Sequence, residues 1–287
     1  MPCLPIADAW VARASVALGT LVEVRLQSAE ATEARFCAAF AAIAHVHCRM
    51  NAHDHASDLG HIERLAHRRA VAVDGWTFEV LQLARRLSDA TDGRFDVTRG
   101  PRRARGGRFD AVMLIAPRHV RAQRPVRLDL GGIAKGYAVD RAVAALRAAG
   151  ATQGVVNAGG DLRVFGGAWL PLHLRDPRQP TRHIAIGHIC DTAAATSADY
   201  FRAGEPELFD RGMRRPRSNL SSVTVVAPSC ALADALTKIV ALDGRRAPAL
   251  LARFRAEAIR LAVNRDGLCP FATAATGTDH LRFCPTA

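Results

Sequence analysis

Residues 126–143 read VRLDLGGIAKGYAVDRAV, and the reading of this stretch decides the fold class. The apolar run Val126–Leu130 predicts a strand, and the paired Gly131 and Gly132 predict a tight turn at its end. A helix follows from near Ile133, with Tyr137, Val143 and Leu146 spaced to face a core. Upstream, residues 21–26 alternate, with Val22, Val24 and Leu26 on one face of a half-buried strand. From about Ala31 to Met50, Phe36, Phe40, Ile43, His47 and Met50 recur at helical steps, and a second helix is expected over Thr77–Ala90 around Phe78, Leu81, Leu83 and Leu87. The stretch TDGRFDVTRGP (91–101) then breaks that pattern.

Downstream, Ala111–Ile115, Gly154–Asn157, Leu162–Phe165, Ile184–Ile186 and Ser222–Ala227 read as short strands. Helices are expected over Ala231–Leu242 and Pro248–Ile259. Strands and helices mix without strict βαβ alternation, so the class is α+β rather than a doubly wound sheet.

The chain has 287 residues, 49% apolar and 23% charged, which excludes a disordered or fibrous protein and allows a sizeable core. Its net charge of +12, with Arg far outnumbering Lys, favours anionic partners. Two basic clusters, RGPRRARGGR (99–108) and Arg211–Arg217, read as solvated loops or as a docking surface for a phosphate or an acidic protein. Nucleic acid is not expected, because only Phe95 and Phe109 flank the first cluster where single-strand binders interleave stacking aromatics.

The seven cysteines are odd in number and form no CxxC, which fits reduced thiols in a reducing compartment. The first 19 residues lack a basic and long apolar leader, and no run reaches the ~18 apolar residues of a membrane span, so the expectation is cytoplasmic. His45, His47, Cys48, His53, His55 and His61 are dense but match no common zinc template, and His47 is expected as a hydrogen-bonded core residue.

A glycine turn that feeds a helix amino end is an anion site, and Lys135 adds a mobile cation beside it. Asp129, at the strand end, is placed to bond a ligand hydroxyl or base. The spacing is neither GxxxxGK[ST] nor GxGxxG. Further along, GVVNAGGDLRVFGG (154–167) puts Asp161 at a glycine-rich loop tip, and TSADY (196–200) sets small hydroxyls beside an Asp. In APSCALADALTK (227–238), Asp234 opens a helix, and a hydroxyl three or four residues later can share a hard cation with it, which implies magnesium.

In this order these segments, with LGT (18–20), MNAHDHASDL (50–59) and TDGRFDVT (91–98), resemble the ApbE family of FAD:protein FMN transferases. The resemblance implies a single domain over 1–287, α+β, with two intertwined subdomains around a flavin cleft. It implies transfer of FMN from FAD to a Ser or Thr of a flavoprotein acceptor, with release of AMP assisted by magnesium. By position, Leu18, His53, Arg94, Phe95, Asp96 and Leu208 would surround FAD, while Asp129, Gly131, Gly132 and Lys135 would hold adenosine or pyrophosphate. Asp161, Thr196 and Ser197 would line the cleft, and the Ala134 carbonyl, Asp234 and Thr237 would ligate the metal.

Two positions depart from the family pattern. Glu207 stands where a catalytic His is expected, which leaves Glu207 and Asp210 as candidate bases, and a carboxylate is a weak base unless burial raises its pKa. Lys238 stands where the metal helix carries Thr; one turn from Asp234, it can pair with that carboxylate and occupy the cation's position. The alternative reading is therefore an FAD-binding relative that carries or hydrolyses flavin.

Overall fold

The computed structural model describes residues 10–98, 109–176, 179–198, 221–242, 247–264, 267–273 and 281–282. The first half of the chain forms β1 (Trp10–Ala17), β2 (Thr20–Gln27), α1 (Glu33–Met50), α2 (Asp58–Leu65), β3 (Val71–Ala72), α3 (Gly75–Ala90), β4 (Val112–Ile115), β5 (His119–Ala122) and α4 (Ala134–Ala148). The second half forms β6 (Gly154–Ala158), β7 (Asp161–Phe165), β8 (Trp169–Asp176), β9 (Gln179–Cys190), β10 (Ala193–Ala198), β11 (Ser221–Ala227), α5 (Cys230–Leu242), α6 (Ala247–Arg253), β12 (Glu257–Asn264), β13 (Gly267–Thr273) and β14 (Leu281–Arg282).

An eight-stranded antiparallel sheet in the order β1-β2-β6-β7-β10-β11-β12-β13 organises the α+β fold. Two three-stranded sheets accompany it, β14-β9-β8 and β3-β5-β4. Its central strands are covered on both faces. Val155 packs with Leu172, Leu174 and Ile189 of the small sheet, whereas the next residue, Val156, packs under α1 and α4. That double covering is why these strands read as short continuous apolar runs rather than as alternation. The helix layer is sealed by Phe36, Ala39 and Ile43 of α1 against Val139, Ala142, Val143 and Leu146 of α4, above Val22, Val24 and Leu26 of β2. Each large apolar side chain buried there contributes about 1.5–3 kcal/mol.

Three expectations are corrected. His47 is exposed, and Val46 completes the buried stripe of α1, because 3.6 residues per turn carry the 36-39-43-46-50 line past position 47. Val126–Leu130 belongs to no sheet; Val126, Leu128 and Leu130 are buried by packing, and Asp129 N–H donates to the Val97 carbonyl at 2.7 Å. The helix expected over Pro248–Ile259 ends at Arg253. Arg255 turns to φ +51°, Ala256 N–H closes on the Leu251 carbonyl at 2.8 Å, and β12 begins at Glu257.

Candidate functional site

Four charged side chains meet where the first turn of α4 crosses α5. Lys135 of α4 pairs with Asp161, the first residue of β7. Lys238 of α5 donates to Asp234 Oδ1 at 2.7 Å and to Ser197 Oγ of β10 at 2.8 Å. Asp234 Oδ2 accepts the backbone N–H of Gly136 at 3.2 Å. Thr237 Oγ1 donates to the Asp234 carbonyl at 2.7 Å and shares a 2.8 Å hydrogen bond with Ser197 Oγ. Lys238, Ser197, Thr237 and the Asp234 carbonyl thus form one hydrogen-bond chain. Both carboxylates are buried, while the Lys135 and Lys238 side chains keep 28% and 21% exposure, so the lysines rather than the carboxylates reach the surface of the cluster.

Local sequence accounts for each placement. Gly159 and Gly160 have φ of +63° and +100° and make the two-residue turn between β6 and β7, which Asn157 Oδ1 closes by accepting the Gly160 N–H at 3.0 Å. Asp161 therefore starts β7 facing the helix layer, on the same side as Arg163 and Phe165. Pairing of Leu162 with Ala194 brings Asp161 and Ser197 to the same end of neighbouring strands. Helix α5 is capped from another helix: Asp140 of α4 accepts the N–H groups of Cys230 and Ala231, each at 2.9 Å, and pairs with Arg163. The crossing is close enough that a Cβ on Gly136 would lie 2.2 Å from the Cys230 carbonyl oxygen.

The cluster is electrostatically polarised. Burial and the Asp234 charge push the Asp161 carboxyl up to about 6, against the opposing pull of Lys135 and Lys238. Burial also acts to raise Asp234, but Lys238, Lys135 and the Gly136 N–H overcome it and hold that carboxyl below its ordinary value. For Lys135, burial is outweighed by Asp234 and Asp161, which hold the ammonium well above the usual lysine range.

Of the residues read from sequence, Lys135, Asp161, Ser197, Asp234 and Thr237 are brought together. Lys135 is paired with Asp161, and Asp161, which follows the glycine turn, is buried at the start of β7. Asp234 lies in the second turn of α5, not at its start. Asp129 Oδ1 accepts the Gly131 N–H at 2.8 Å, so this carboxylate orders the turn. The N–H groups of Gly132 and Lys135 have no hydrogen-bond partner among the described residues, which leaves the α4 amino end open beside Ala134.

Thr196 and Ser197 face opposite sides of the sheet. Thr196 shares the face of Ala194 and hydrogen-bonds Thr224 Oγ1 at 2.8 Å, on the side of the small sheet, while Ser197 faces α5.

Leu18, at φ +54°, forms the β1–β2 turn with Gly19 and packs on the core. Phe95 is buried, with its N–H on Thr91 Oγ1 at 3.0 Å; Arg94 is exposed; Asp96 Oδ1 accepts from Thr98. His53 is exposed, and its N–H donates to Asn51 Oδ1 at 2.9 Å. Glu207, Leu208, Asp210 and both arginine clusters lie outside the described residues. Asp140, Arg163 and the close approach at Gly136 were not singled out from sequence; the one available signal was a carboxylate one turn beyond Gly136 in an otherwise apolar helix stretch.

A profile of the ApbE family matches residues 18–260. The chain belongs to the ApbE family. It is 31% identical over 297 aligned positions to an FAD:protein FMN transferase of Rhodobacter capsulatus, covering 87% of this chain and 54% of that protein, so it spans about half of that relative's length. It is 26% identical over 267 positions to an FAD:protein FMN transferase of Vibrio cholerae, covering 80% and 79%. Among solved structures, Flavin Transferase ApbE from Vibrio cholerae superposes with TM-score 0.78 at 24% identity, covering 93% of this chain and 98% of that one. The ApbE protein of Thermotoga maritima gives 0.76 at 25% (92% and 97%), and the apo form of Pseudomonas stutzeri flavinyl transferase ApbE gives 0.74 at 20% (96% and 98%). These superpositions establish the ApbE fold.

The magnesium site implied for this ApbE family member does not fit its residues. Magnesium requires oxygens in an octahedron at ~2.1 Å. Here Asp234 Oδ1 is bonded to an ammonium, Oδ2 accepts the Gly136 N–H, and the Thr237 hydroxyl is committed to Asp234 and Ser197. Among the described residues no three His, Cys, Asp or Glu side chains converge as a ligand set.

Proposed function

We propose that the chain binds FAD and transfers its FMN moiety to the hydroxyl of a Ser or Thr on a flavoprotein acceptor, releasing AMP. One observation carries this reading: two lysines with partly exposed side chains, Lys135 in the first turn of α4 and Lys238 with its stem along Gly132, stand beside an α4 amino end whose Gly132 and Lys135 N–H groups have no partner among the described residues. Membership of a family whose similar relatives are named FAD:protein FMN transferases supports a dinucleotide diphosphate as the anion.

In the transfer, the acceptor oxygen forms a bond to the FMN phosphorus, the bond from that phosphorus to the bridging oxygen breaks, and AMP departs with the bridging oxygen. Such chemistry depends on positioning and charge neutralisation. The chain's own groups supply both: the helix amino end and the ammoniums hold the phosphoryl oxygens, while Asp161 and Asp234 hold the ammoniums. The acceptor's proton is assigned to Glu207 or Asp210.

The exposed free thiols of Cys37 and Cys48 support a reducing, cytoplasmic setting. No helix among the described residues is long and apolar enough to cross a membrane.

A second reading, a flavin carrier or hydrolase, is favoured by Glu207 at the position expected for His. Incubation with FAD and a flavoprotein acceptor separates them. Fluorescent flavin that survives denaturation on the acceptor, with an equal amount of AMP, is the expected result. Free FMN with AMP would make the chain a hydrolase; retained FAD without AMP would make it a carrier; absence of any flavin binding would overturn both.

A further inference from the structure

Lys135 and Lys238 are the only lysines in the chain; every other basic side chain among its 39 Lys and Arg is an arginine. Both stand in the one four-charge cluster. A chain that uses arginine everywhere else and lysine at these two positions points to a compact point charge as the property required there.

The geometry at Lys238 is specific. Its stem runs along the glycine turn, with Cγ and Cε 3.8 Å from where a Cβ on Gly132 would stand. Its ammonium spends one donor on Asp234 and one on Ser197, and an ammonium has three. The third donor is left for a ligand at the turn. Charge arithmetic agrees: Asp161, Asp234 and Lys135 alone sum to one net negative charge and would attract a cation, while Lys238 brings the cluster to zero.

We propose that the Lys238 ammonium is the resident cation of this site, standing in place of a divalent metal beside Asp234 and donating directly to the diphosphate of the bound nucleotide. The diphosphate part rests on the flavin reading above; the metal part does not.

The test uses the full chain and two probes. Mn2+ titration followed by electron paramagnetic resonance is expected to show no saturable binding to the unaltered protein, and FAD affinity, followed by flavin fluorescence, is expected to be the same in EDTA as in Mg2+. Lys238→Met keeps the stem and removes the charge. It is expected to gain a saturable Mn2+ site and to bind FAD about tenfold more weakly in EDTA, the loss of one hydrogen bond to a charged group. Saturable Mn2+ binding by the unaltered chain, or collapse of its FAD affinity on chelation, would overturn the proposal without needing the variant to fold. Equal FAD affinity of a folded K238M in EDTA would overturn the direct contact. Failure of the unaltered chain to bind FAD in either buffer would instead remove the flavin reading, while the Mn2+ titration would still decide the resident cation.

Discussion

The Gly136 Cα of α4 faces the Cys230 carbonyl of α5 so closely that a methyl group there would sit 2.2 Å from the oxygen. Neither side can yield cheaply, because Cys230 N–H is held by Asp140 and Gly136 N–H by Asp234. Gly136→Ala is expected to cost about 1–3 kcal/mol or more through overpacking, read as a lowered urea midpoint. Gly132→Ala meets only ordinary contacts at 3.8 Å and is expected to stay within about 0.5 kcal/mol. Equal midpoints for the two variants would refute the close crossing.

Asp140 acts through α5 rather than on a ligand. Asp140→Ala removes the acceptor for two helix-terminal N–H groups and leaves Arg163, with a side chain 21% exposed, without its carboxylate. A loss of about 1–3 kcal/mol is expected, the range for leaving hydrogen-bonding groups without their partner, because Arg163 stays partly open to water. Because α5 carries Asp234 and Lys238, FAD affinity is expected to fall with it, and Asp140→Asn, which retains an acceptor, to recover part of both.

The two site carboxylates give opposite pH dependences in separate windows. Asp161 is raised from 3.8 to about 6, so the folded state holds its proton more tightly than the unfolded state. Its contribution to stability is complete below about pH 4 and is lost as pH rises through about 6. Asp234 is lowered, so its contribution is present above its ordinary value and lost as pH falls through the folded one. Asp161→Asn is therefore expected to change the slope of unfolding free energy chiefly between about pH 4 and 6. Urea titrations across that range decide it; an unchanged slope would remove the assignment.

Thr196 and Ser197 are adjacent yet face opposite sides of the sheet. Thr196→Ala loses the hydrogen bond to Thr224 and is expected to cost about 1 kcal/mol with FAD affinity unaltered. Ser197→Ala removes an acceptor that orients Lys238 and is expected to weaken FAD binding several-fold. Thr196→Ala weakening FAD as much as Ser197→Ala would mean that both residues line one wall.

Much of the scaffold was legible because its causes are local. The β2 alternation, the α1 and α3 stripes and the paired glycines between β6 and β7 all express backbone preference or side-chain periodicity within a few residues. Elements were missed where burial overrode composition. Strand β10, AAATSA, carries little intrinsic strand preference and is held by pairing with β7 and β11, while β12 was hidden inside a helical spacing that Arg255 terminates. The run before Gly131 carried a strand-like pattern without a ladder, since alternation reports which face is buried and not what buries it.

The order of DLGGIAKG, NAGGD and ADALTK along the chain sufficed by itself for the α+β class, the family and most members of the charged cluster. Tertiary structure alone decided which donor Asp234 receives, which face Thr196 takes and what caps α5. A spacing of four permitted Lys238 to reach Asp234 and equally permitted Thr237 to turn toward a metal. The outcome rests on Ser197, 41 positions away in sequence, and on burial that makes an unpaired carboxylate costly. Both are properties of distance in space, which a linear pattern does not carry.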